Sequence, residues 1–187
     1  MTELESRTAA TMAGARHPLW ATLTMLWASV GFSVLILYGL AKLATATAGA
    51  FSFALAPHHI AALIVSVLAM AWFEGYRGFQ QSFSPRFAAR AAELGEGATA
   101  PQALLAPLVC MGLLWAPRRR LIGAWSLTAG IVVLVLLFRQ LPQPWRGILD
   151  AGVFVGLSWG LVATWGAVAA TLIERRQQRD RPVVATD

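Results

Sequence analysis

Glu74, Tyr76, Arg77, Gln81, Arg86 and Arg90 place a carboxylate, a phenol, an amide and three guanidinium groups within one short stretch, "EGYRGFQQSFSPRFAAR". It follows an apolar run with almost no polarity. Wound as an α-helix, Glu74, Arg77 and Gln81 fall at i, i+3 and i+7 and share a face. That spacing predicts an ion pair at a helix end. A carboxylate near hydrocarbon is costly unless it has a partner or a task, so the alternative is a cytoplasm-facing pocket for an anionic ligand, a headgroup or a partner's loop.

A second group is "PWRGILD", with Arg146 and Asp150 at i, i+4. Asp150 stands near a helix N-terminus, where the dipole favours negative charge. With Trp145 as an interface anchor and Arg139 as a third charged member, the group reads as an external clasp joining the apolar stretches over 121–138 and 148–173, or as an external ligand site. Downstream, Gly152, Gly156 and Gly160 repeat every four residues, a spacing that lets helix backbones approach closely.

Other chemistry lacks its residues. His58 and His59 are adjacent and are expected to point apart on a helix, with no further ligand to complete a metal or haem site. No phosphate loop, nucleophile elbow, HExxH or CxxC is present. Cys110 is the single cysteine, so no intrachain disulfide can form. No catalytic residue, metal or cofactor is expected. No acidic or histidine ladder runs through an apolar segment, which argues against a proton relay.

The elements that must carry these groups are set by hydropathy. The chain has 187 residues, of which 57% are hydrophobic and only 13% charged, against about a quarter charged in soluble domains. Mean hydropathy is +0.60. Four stretches can cross about 30 Å of hydrocarbon at about 1.5 Å per residue: residues 19–41, 60–79, 121–138 and 148–173. A signal peptide would have a shorter apolar region than the first of these. Residues 101–115 are apolar but short, and Pro107 interrupts them.

Arginine decides that fifth segment. With four spans and a cytoplasmic N-terminus, Arg7, Arg16, Arg77, Arg86, Arg90, Arg118, Arg119, Arg120, Arg175, Arg176, Arg179 and Arg181 lie inside; Lys42, Arg139 and Arg146 lie outside. If residues 101–115 also crossed, the bias would vanish. The positive-inside rule therefore predicts four spans, both termini cytoplasmic, and a re-entrant or interface-lying segment over 101–115. The net charge of +6 reflects this topology rather than nucleic-acid binding, because the arginines flank apolar runs. Ser84-Pro85 predicts a restart of the chain as a short interfacial helix over 85–94, with Phe87, Ala91 and Leu94 as its apolar stripe and Arg86 and Arg90 reaching anionic headgroups.

The expected fold is an all-α integral membrane protein: one membrane domain over 19–173 built as two helical hairpins, with polar tails over 1–18 and 174–187. Trp27 and Trp125, and Glu74 and Glu174, recur at similar places in the two halves, as an old duplication would leave them. A single lysine against fourteen arginines suits a GC-rich bacterial genome and hence a bacterial inner membrane. The function expected is a non-catalytic accessory, scaffold or assembly protein meeting a membrane-protein partner or its own copies. The competing expectations are a homo-oligomeric small-molecule or lipid transporter and, last, a lipid enzyme.

Overall fold

The computed structural model of the chain describes residues 18–180; the tail residues 1–17 and 181–187 lie outside the described residues. The described chain is built of helices: α1 (Pro18–Ala50), α2 (Pro57–Met70), a π-helical segment (Ala71–Phe83), α3 (Ser84–Gly97), α4 (Ala100–Leu104), α5 (Ala106–Cys110), α6 (Arg118–Phe138) and α7 (Trp145–Asp180). Pro57 opens α2 at its first turn, where a missing N–H costs nothing. Four helical stretches are long and apolar enough to cross a membrane: Leu19–Ala50, Pro57–Gly97, Leu121–Phe138 and Trp145–Gln178. Three overshoot their apolar cores, because a helix continues into polar sequence where nothing breaks it.

α2, the π segment and α3 form one uninterrupted rod running beside α7 in the same direction. Ser66 lies against Gly152, Met70 and Glu74 against Gly156, and Phe79 against Gly160. Further along, Ser84 Oγ and Thr164 Oγ1 are 3.0 Å apart and both residues are buried. At the far end Arg175 donates to Glu96 across 2.8 Å. α1 packs antiparallel to both. Its C-terminal Ala46 and Ala50 meet Gly147, and its N-terminal Ala21 meets Gly95. The beginning of α1 and the end of α7 therefore share one end of the bundle.

The core gathers towards that end. Met25, Ala28 and Phe32 of α1, Phe87, Ala88 and Ala91 of α3, and Val168 of α7 enclose a cluster with Ala106 and Cys110. The Phe32, Phe83 and Phe87 rings pack with centroids 5.2–5.7 Å apart, tilted to one another by 31–46°. The separate short helix expected over 85–94 is instead the continuation of the rod. α3 does not restart at Ser84, which has α-helical dihedrals (φ −61°, ψ −43°) and donates its N–H to Phe79 O in the wide π pattern. The wide winding gives the Pro85 ring room at the carbonyl it would otherwise strike. Phe87 and Ala91, read as a lipid-facing stripe, are wholly buried against α1 and α7.

Residues 101–115 fold as α4, α5 and a return loop. The Pro107 ring seats directly on Gly31 of α1, where any side chain would collide with it. Trp27 Nε1 donates to Leu104 O across 3.0 Å. The loop turns back at Gly112, whose φ of +81° suits only glycine without strain. Trp115 and Pro117 then come beside Gly97 and Ala98, where the segment began. Both ends of this segment lie together.

α6 stands apart. Ile122, Trp125 and Ile131 to Leu137 are exposed, and its Gly123 and Gly130 have open space where a Cβ would project. The second hairpin expected between residues 121–138 and 148–173 is not packed. The long face of α6 has no counterpart in α7.

Candidate functional site

Three polar groups occupy three levels of the bundle. The middle one lies on the π segment. Glu74 is half-buried against α7, and a Cβ on Gly156 would come within 2.8 Å of Glu74 Oε2. Gly156 is eleven residues below Trp145, about 16 Å along α7. Beside it, Gly75 lets the Trp159 ring down onto the backbone, and Trp159 Nε1 donates to Gln80 Oε1 across 2.8 Å. Tyr76 stacks on Trp72 with ring centroids 5.1 Å apart. Arg77 and Gln81 are exposed.

The predicted Glu74–Arg77 pair does not form: the ion pairs among the described residues are Arg146–Asp150 and Arg175–Glu96. The physical reason is the winding. In i→i+5 bonded backbone, residues three apart no longer stack one above the other, so Arg77 swings off the face that Glu74 presents to α7. Gly75 and Gly78, poor α-formers within four residues of each other, are the sequence signal that α-geometry is weak here.

The second group lies near the core. Arg90 Nη1 donates to Cys110 O across 3.0 Å, satisfying a carbonyl that the turn at Gly112 leaves outside any helix ladder. A Cβ there would lie 2.7 Å from Arg90 Nη1, so a side chain would push the guanidinium aside. Arg86 is exposed one turn earlier, its Nε donating to Ser82 O. Together with Gly123 and Ala124 of α6 these residues line a cleft of about 540 Å³.

The third group is at the opposite end. Arg146 Nε and Asp150 Oδ2 are 3.6 Å apart within α7. Trp145 meets the His59 ring edge-on at 5.0 Å, and Gln143 Nε2 donates to Ala46 O across 3.2 Å. The clasp therefore ties α7 to α1 and α2, not to α6 as expected. Arg139 is exposed and outside it, because α6 ends away from α7. The histidines also differ from expectation. At the first turn of α2 their rings face each other, Nε2 to Nε2 at 3.1 Å, while His59 Nδ1 accepts the Ala56 N–H. No group of three or more metal-binding side chains occurs among the described residues.

Gly152, Gly156 and Gly160 lie buried along the seam between α7 and the rod. Sequence reasoning missed the Ser84–Thr164 contact, the Gln80–Trp159 contact and the Arg175–Glu96 bridge. Their sequence separations of 79 or 80 residues are a register signal that only the packed rod reveals. What fold and groups define together, among the described residues, is an all-helical structure with four membrane-length apolar helices and polar groups at three levels. Comparison with known protein families, curated proteins and solved structures finds no match.

Proposed function

We propose that the chain is a non-catalytic accessory or scaffold protein of a bacterial inner membrane, with four spans and both termini in the cytoplasm. Its third span is the surface it offers to another membrane protein. The observation that carries the reading is α6: Leu121–Phe138 has a hydropathy of 2.4, and none of that window is buried within the chain. The other three apolar helices bury small residues against one another, whereas α6 buries none of its apolar length. A helix retained in the bilayer without contributing to its own bundle has its packing partner elsewhere, in lipid or in protein. The shared end of α1 and α7 supports termini on one side.

The test is purification of the full chain in mild detergent, followed by separation of its components. A different membrane protein at fixed stoichiometry is the expected result. A symmetric assembly of this chain alone would favour the transporter reading, and a monomer binding nothing would overturn both.

A further inference from the structure

We infer that the cleft between α3, the Gly112 turn and the start of α6 is a binding site for one anionic phospholipid, its phosphate on Arg86 and Arg90 and its acyl chains along α6. The inference rests on membrane embedding but not on the partner proposed for the outer face of α6.

The position comes first. The buried Ser84–Thr164 contact marks the level of Arg86 on the rod. Thr164 lies nineteen residues below Trp145, about 28 Å along α7, close to the roughly 30 Å of a hydrocarbon core. Arg86 and Arg90 therefore stand where inner-leaflet phosphates lie. Arg118 and Arg119, both exposed, begin α6 on the same side.

The lining of the cleft is two-natured. Arg86 and Arg90 exceed Glu93 by one charge, while Phe83, Met111 and Ala124 supply apolar surface. A small inorganic anion would use the first feature and leave the second exposed. A phospholipid uses both, as guanidinium groups bind phosphate oxygens strongly and hydrocarbon covers the apolar wall. Arg90 is already positioned by its bond to Cys110 O, so little side-chain freedom remains to be lost there on binding. The α6 wall is small by composition. Gly123, which lines the cleft, has nothing within 4 Å of where its Cβ would project.

The experiment uses the full chain, purified in detergent and stripped of lipid, then incubated with phosphatidylglycerol or phosphatidylcholine and read by native mass spectrometry. Preferential retention of one phosphatidylglycerol is expected. Arg86→Gln should lower that retention about fivefold, the effect of one basic residue at an anionic surface. Gly123→Leu should lower it as well, by filling the space meant for a chain, without lowering thermal stability. Arg176→Gln, an exposed arginine at the far end of α7, should leave it unchanged. Equal retention of both lipids would overturn the inference. So would unchanged retention in Arg86→Gln and Gly123→Leu, or an equal loss in Arg176→Gln, which would mean diffuse surface charge. Displacement by excess inorganic phosphate would show a small-anion site instead.

Discussion

Glu74 is a half-buried carboxylate of the π segment, packed against α7. It packs against Gly156 and forms no ion pair with any described residue. A carboxylate there costs stability unless it serves a function. Glu74→Gln is therefore expected to raise the melting temperature in detergent by about 2–4 °C, the equivalent of roughly 1 kcal/mol for a chain of this size. Arg77→Gln, altering an exposed side chain, should leave it unchanged. If both single changes lowered the melting temperature and the double change restored it, the two residues would be a pair after all. The glycines opposite make a second prediction. A Cβ at Gly152 would lie 2.8 Å from the Ser66 carbonyl oxygen, and one at Gly156 3.2 Å from that of Met70. These are backbone atoms that cannot turn aside. Gly152→Leu and Gly156→Leu should each cost about 1–3 kcal/mol, the usual penalty of overpacking, measured by thermal unfolding. Gly130→Leu, on the open face of α6, should cost nothing measurable.

At the scale of elements, the sequence made the helices legible and their windings illegible. Long apolar runs without proline could be read as spans because length and hydropathy alone decide them. The face shared by Glu74 and Arg77 was assigned with an α-helical period, and the chain is π-helical there. The apolar stripe through Phe87 and Ala91 was correctly read as a stripe, but its neighbour is protein. Side-chain pattern cannot tell an apolar core from lipid, since both reward the same residues. Pro107 was read as an interruption; what the sequence could not show is that its ring rests on Gly31, 76 positions away. That contact gives a prediction for the 101–115 segment. Cys110, the last residue of α5, is wholly buried and is the chain's single cysteine, so it reports on the segment's docking. It should resist a maleimide in the native chain and react at least severalfold faster in Gly31→Leu, which displaces Pro107. Equal labelling of the two would mean that the segment is not seated on α1.

For the whole molecule, the expectation drawn from arginine placement and the geometry of the ends point the same way. α1 begins and α7 ends at one end of the bundle, and the 101–115 segment leaves and returns there. Reporter fusions after residues 95, 118 and 187 should therefore give cytoplasmic signals, and fusions near 50 and 143 external ones. An external signal at 118 would mean that the segment crosses. The partner surface is a separate matter, because an apolar helix that its own bundle leaves bare is equally suited to lipid and to protein by composition. The most direct test is photocrosslinking in intact cells from Ile131 and Val135, about half exposed on α6 (52% and 47%), with Val168, buried at 1%, as the internal control. Adducts from both α6 positions to a single different membrane protein, with none from Val168, are the predicted result. Adducts to lipid alone, or only to other copies of this chain, would contradict the scaffold reading.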